Sequence, residues 1–344
     1  MKHLHAVKLI SLLLCLILIV SMPAGCASKT EQTSEPTSES SAENQTEPIK
    51  FKHHVYNCFF EDTFGPEYHK AYDNLVDAVL EGRDWFECPD EKTRDWVVGQ
   101  IPYRCYPVID EYVDFTAVPV RFKDGKAYFS YKIPYDEFKV KLEEFEKIIT
   151  DILNEAVRSD YTDFEKMLAL YGYVAKNYIY DYEKADRMVN TSDYKISAYY
   201  FFTQKTEVCQ GISIAYSYLL MQLGIDASIV MGDNHQWSIV KYKDKYYHID
   251  PTFAMTDNSS MAYFMMDDAQ RQAEGGFDPA RFTYFSVYTH DHPCGDKYRC
   301  TDDSYNVLWK YQYVSLDHKA QTISCGISVG EENESVYTLD SSGF

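Results

Sequence analysis

At 344 residues, with 45% hydrophobic and 25% charged side chains, the chain suffices for one large domain or two ordinary ones and is apolar enough to bury a core. Its formal net charge of -20 excludes a nucleic-acid partner held through a basic face, because phosphate contact requires one. The 31 tyrosines fit half-buried positions, where the ring packs and the hydroxyl reaches a polar partner.

Residues 1–25 read as an export signal. Lys2 and Lys8 supply a positive start, and Leu9–Val20 is a nearly unbroken apolar run, too short for a comfortable membrane span. Ser21-Met22-Pro23-Ala24-Gly25-Cys26 resembles the lipobox of bacterial lipoproteins, with Met22 or Pro23 where Leu is usual. That resemblance implies cleavage before Cys26, diacylation of its thiol, and a chain held on the extracytoplasmic face of the cell membrane. An ordinary secretory signal is the alternative. Residues 26–49 follow as a disordered tether of Ser, Thr, Glu and Gln, which cannot offset their own ordering entropy.

From residue 50 the composition becomes globular. An N-terminal α+β region is expected over 50–135. Tyr72, Leu75, Val76, Val79 and Leu80 form a helical stripe that Gly82 ends. Asp124-Gly125 sits between two alternating runs, a hairpin signal. A catalytic domain is expected over 136–290. Phe138, Leu142, Phe145, Ile149 and Ile152 mark a long amphipathic helix over about 136–157. Thr162 and Glu165 form a capping box opening the next helix. A short helix ends near Gly275, and 291–344 reads as a β-rich tail.

The chemistry concentrates between Thr206 and Phe253. Cys209 stands just before the apolar segment Gln210–Leu223, which Gly224 ends. A helix N-terminus favours thiolate and offers backbone N–H groups to an oxyanion. Gly211 leaves room for a close approach of backbone. After a strand over about Ala227–Met231 and a Gly-Asp-Asn turn, HQWSIVKY and YYHIDPTF form a hairpin around Lys243-Asp244. If Tyr242 faces Lys245, then Asp250 faces Trp237, and His235 is its diagonal neighbour on the same face. A one-residue slip would put His235 and Asp250 on opposite faces. Asp250 would then orient His235, His235 would serve Cys209 as base, and Trp237 would pack beside the imidazole and exclude water.

These segments resemble the bacterial transglutaminase-like superfamily: VCQGISIAYSYLLMQLGI, His235-Gln236-Trp237 and Asp250-Pro251-Thr252-Phe253, flanked by YIYDYEKA and YFMM. The resemblance covers about 160–270. It implies an α+β, papain/transglutaminase-like core, a nucleophile helix packed on an antiparallel sheet, with an N-terminal helical/hairpin extension. It implies a Cys209–His235–Asp250 triad transferring amide acyl groups of a protein or peptide through a thioester, to water or to an amine, with no cofactor and no metal. Gln204 and Tyr180 are candidates for a second oxyanion donor.

Rival readings are a catalytically silent envelope binding module on the same fold and a metal-dependent enzyme. For the latter, His248 could join His235 and Cys209, or His290-Asp291-His292 could join Cys294 and Cys300. Besides Cys15, Cys26 and Cys209, six cysteines remain: Cys58, Cys88, Cys105, Cys294, Cys300 and Cys325. That even number permits disulfides in an exported protein.

Overall fold

The computed structural model describes residues 46–55, 58–191, 195–279, 283–284, 295–329 and 333–344. The expected export signal, Cys26, most of the tether, and the His290–His292 and Cys294 positions lie outside the described residues. Thr46–Phe344 forms one compact unit.

The unit opens with a segment tied to helices that follow much later. Ile49 exchanges backbone hydrogen bonds with the Asn154 side chain, and Lys52 does the same with Gln222, each at 2.8–2.9 Å. Then come α1 (Cys58–Phe64), α2 (Pro66–Leu80), β1 (Trp85–Glu87), α3 (Glu91–Cys105), α4 (Pro107–Tyr112), β2 (Val113–Asp114), β3 (Phe122–Lys123), β4 (Lys126–Tyr128) and β5 (Ser130–Tyr131). The stripe of α2 is buried through Tyr72, Leu75, Val76 and Val79. Asp124 and Gly125 both take positive φ, closing β3 on β4 as a two-residue hairpin. The sequence reading placed no element over 91–112, where α3 carries Gly99 and Pro102 and lacks a one-sided apolar stripe.

The central part consists of α5 (Tyr135–Ala156), α6 (Asp163–Asn177), β6 (Ile179–Tyr180), α7 (Tyr182–Asn190), α8 (Ala198–Gln204), β7 (Thr206–Glu207), α9 (Cys209–Gln222), β8 (Ala227–Met231), β9 (Gln236–Tyr242), β10 (Lys245–Ile249), α10 (Pro251–Thr256), α11 (Asp268–Ala273) and β11 (Thr283–Tyr284). The capping box of α6 is complete: Glu165 N donates to Thr162 Oγ1 at 3.2 Å, and Thr162 N to Glu165 Oε2 at 2.8 Å. The main sheet is antiparallel, in the order β10-β9-β8-β11. Helix α9 is buried around its whole circumference from Gly211 to Gln222, as befits a helix apolar on every side. It lies on β8 and β9, flanked by α3, α6, α8 and α10. The result is an α+β transglutaminase-like fold.

The tail forms a second antiparallel sheet of β12 (Gln312–Asp317), β13 (Thr322–Val329) and β14 (Asn333–Asp340). It docks on α6. A Cβ on Gly172 would fall 2.1 Å from Cε1 of Tyr313, and His318 Nδ1 lies 2.8 Å from Glu165 Oε2. Among the described residues, Cys58, Cys88, Cys105, Cys209, Cys300 and Cys325 are all free thiols, so no disulfide joins them.

Candidate active site

The first part of the site is the entrance to α9. Strand β7 pairs in parallel with β6, with Tyr180 opposite Glu207, and the chain turns into the helix at Val208. Glu207 is fully buried. Its Oε1 accepts from Lys184 Nζ at 2.6 Å and from Ser197 N at 3.2 Å; its Oε2 accepts from Val208 N at 2.7 Å. A buried carboxylate needs this degree of satisfaction. Gly211 is where the carboxylate's stem crosses the helix: a Cβ there would lie 2.5 Å from Glu207 Cγ. The close approach expected at Gly211 is thus made by a side chain of the same protein. Cys209 stays half-exposed at the helix tip, and Gln210 is held by its amide donating to the Tyr103 hydroxyl at 2.8 Å.

The second part is the β9–β10 hairpin. Tyr242 faces Lys245, and Lys243 and Asp244 both take positive φ in the turn. The register is the one the two-residue turn implies, and the ladder ends at Ser238 and Ile249. His235 lies just before β9 and Asp250 just after β10, so both side chains leave the same end of the sheet. Asp250 is also the N-cap of α10. Its Oδ1 accepts from Thr252 N at 3.0 Å and Phe253 N at 3.2 Å, which leaves Oδ2 aimed at Nε2 of His235, 2.6 Å away. Pro251 at the first helical position favours this cap, having no N–H to satisfy.

His235 is therefore oriented on several sides. Its ring stacks on Phe253 at 4.6 Å and 9°, and on Trp237 at 5.7 Å and 24°. Nε2 is engaged by Asp250, which leaves Nδ1 outside that bond, and Cys209 is near enough to the ring to add to its proton affinity. Burial works against a charged imidazole here. The Asp250 carboxylate and its hydrogen bond, joined by Cys209, outweigh that and raise the pKa from 6.5 to about 9. The ring thus holds its proton at neutral pH. The structure brings Cys209, His235, Asp250 and Trp237 together.

His248, weighed as a rival base or ligand, is not at this point. It is fully buried, with Nδ1 3.0 Å from Trp237 Nε1 and Nε2 3.0 Å from Asp268 Oδ1. His248, Asp268 and Cys300 place potential metal-ligating atoms within 4.8 Å of one another. The donors do not suit a cation: both His248 ring nitrogens are hydrogen-bonded, Arg299 pairs with Asp268, and burial pushes the Cys300 thiol well up. Gln204 is exposed at the end of α8. Tyr180 is half-buried and close enough to feel Cys209; burial first, then Cys209, raises its phenol to about 12, so it remains a donor.

Sequence reasoning missed three residues. Glu207, two before Cys209, carried no signal, because it follows the polar run Thr203-Gln204-Lys205-Thr206. Asp268 and Arg271 carried none, being a helix cap region like many others. Arg271 is 1% exposed, with its guanidinium 3.9 Å over the Trp237 ring and 5.6 Å from Phe253.

Residues 150–266, which include Glu207, Cys209, His235, Trp237, His248 and Asp250 but stop short of Asp268 and Arg271, match the family model of the transglutaminase-like superfamily. They form a transglutaminase-like domain. No curated protein matches the chain. Two solved structures resemble parts of it. One is described as the crystal structure of a TGase, at 18% identity and a TM-score of 0.29, over 47% of this chain and 48% of that one. The other is a provisionally assigned cysteine protease of Cytophaga hutchinsonii, at 17% identity and a TM-score of 0.25, over 40% and 46%. The chain spans about half the length of each. The transglutaminase-like domain rests on the family match and its own geometry rather than on these likenesses.

Proposed function

We propose that the protein is a lipid-anchored enzyme of the cell envelope that cleaves or transfers amide acyl groups of proteins or peptides through a thioester on Cys209. The observation that carries the reading is the 2.6 Å hydrogen bond joining His235 Nε2 to Asp250 Oδ2, on a ring whose proton affinity is also raised by a cysteine at a helix tip. His235 holds its proton at neutral pH, and Sγ of Cys209, as the thiolate beside that imidazolium, attacks the amide carbonyl. Negative charge develops on the carbonyl oxygen, where N–H groups at the start of α9 and the Tyr180 hydroxyl are available donors. His235 gives its proton to the leaving amine, and the C–N bond breaks. Water or a second amine then resolves the thioester. Asp250 stays ionised and keeps the ring oriented. Cys26 would carry the lipid, with the tether linking it to the globular unit.

The test is a comparison of wild type with Cys209→Ala for labelling by a thiol-reactive amide-mimic probe, and for amide products across the proteome. Loss of both in the variant is expected. Unchanged product formation after Cys209→Ala would overturn the reading.

A further inference from the structure

A second hydrogen-bonded chain runs beside the first. Trp237 is fully buried, its ring lies against His235, and its Nε1–H donates to Nδ1 of His248 at 3.0 Å. An indole nitrogen only donates, so Nδ1 of His248 must be the acceptor. The single proton of a neutral His248 then sits on Nε2 and is donated to Asp268 Oδ1, 3.0 Å away. Burial keeps this ring neutral, with Arg271 acting in the same direction and Asp268 and Asp267 opposing. Asp268 is itself held by Arg299 and by Cys300 N at 3.3 Å. The order is therefore Arg299, Asp268, His248, Trp237, and then the face of His235.

We propose that His248 and Asp268 are positioning residues for the His235–Cys209 pair: they fix the edge of the Trp237 indole, and the indole holds the His235 ring in the plane that keeps Nε2 on Asp250 and Nδ1 toward Cys209. A tryptophan has two side-chain torsions, and a hydrogen bond at the far edge of the ring removes the freedom packing leaves to the second. A stacked imidazole whose neighbour cannot turn loses the same freedom, and its 2.6 Å bond to Asp250 survives only in one ring plane. His248 thus acts through Trp237 and touches no reacting atom. The proposal rests on the thiol–imidazole reading above.

The test needs no substrate. The full chain is alkylated with iodoacetamide across a pH series, and Cys209 alone is followed by peptide mass spectrometry. His248→Leu should slow alkylation at neutral pH roughly ten- to a hundredfold, the size of effect expected when a supporting residue lets a reacting group drift. It should also move the alkaline inflection belonging to His235 to lower pH. His248→Gln should recover most of both, since its amide offers an acceptor for Trp237 and a donor for Asp268. Trp237→Phe, which deletes the same bond from the other side, should behave as the leucine variant does and carries the test if that variant does not fold. His235→Ala is the reference. If it reacts as fast as wild type there is no pair to position, and both readings fall. If it is slow while a folded His248→Leu keeps the wild-type rate and inflection, or His248→Gln is no better than His248→Leu, the positioning role alone falls.

Discussion

Gly211 and Glu207 are in contact through the space a side chain would occupy: a Cβ on Gly211 would lie 2.5 Å from Cγ and 2.9 Å from Cδ of the buried glutamate. Ordinary helix propensity makes Gly→Ala favourable by up to about 1 kcal/mol. Here the sign reverses. Glu207 cannot retreat without breaking its bonds to Lys184, Ser197 and Val208. Gly211→Ala is expected to destabilise by about 1–3 kcal/mol and to lower Cys209 alkylation. A melting temperature at or above wild type would contradict this.

Lys184 and Glu207 form a buried pair, 11% and 0% exposed at their side chains. Lys184→Met strands the carboxylate and should cost about 3 kcal/mol or more in urea unfolding. The exposed pair of Lys147 and Asp151 provides the contrast, since Lys147→Met should stay within about 0.5 kcal/mol of wild type. Equal effects from the two variants would mean that burial does not govern the Lys184 pair.

Asp250 divides its two oxygens between a helix cap and the imidazole, and two substitutions separate the tasks. Asp250→Asn retains an oxygen for the cap but offers an N–H to His235 Nε2, which imposes the wrong tautomer. Activity should fall roughly a thousandfold or more with little change in melting temperature. Asp250→Ala should lose activity and also about 0.5–2 kcal/mol of stability through the missing cap. A catalytically intact Asp250→Asn enzyme would remove Asp250 from the mechanism.

The raised His235 pKa, about 9 against an ordinary 6.5, fixes the sign of two pH effects. A ring that must give its proton to the leaving amine is lost above that value, so turnover should fall as pH rises through about 9. The interactions that raise the pKa stabilise the fold fully below the unfolded value of 6.5 and cease to do so above the folded value. The stability difference between wild type and His235→Ala should therefore be larger near about pH 6 than near about pH 10. A difference that is flat or grows with pH would show that the ring gains no proton affinity on folding.

What could be read in the sequence was local. The α2, α5 and α6 stripes, the capping box of Thr162 and the hairpin turns at Asp124 and Lys243 depend on neighbours three or four residues away, or on two-residue φ demands. The adjacency of His235 and Asp250 was legible because strand parity carries it across a known turn. Helix α3 was not, because its residues are buried on several sides and leave no stripe. Glu207 with Lys184, and His248 with Asp268 and Arg299, were not legible because those partners come from separate elements, and only the assembled fold brings them together.

The two-residue turn at Lys243-Asp244 also limits how this part of the molecule can change in length. Inserting a single residue into either strand would send His235 and Asp250 to opposite sides of the ribbon. One residue added to each strand would leave them facing as they do now and merely push the tip further from the catalytic end. Loop grafts and tags at the tip should therefore be tolerated, and natural length variation should come in matched pairs.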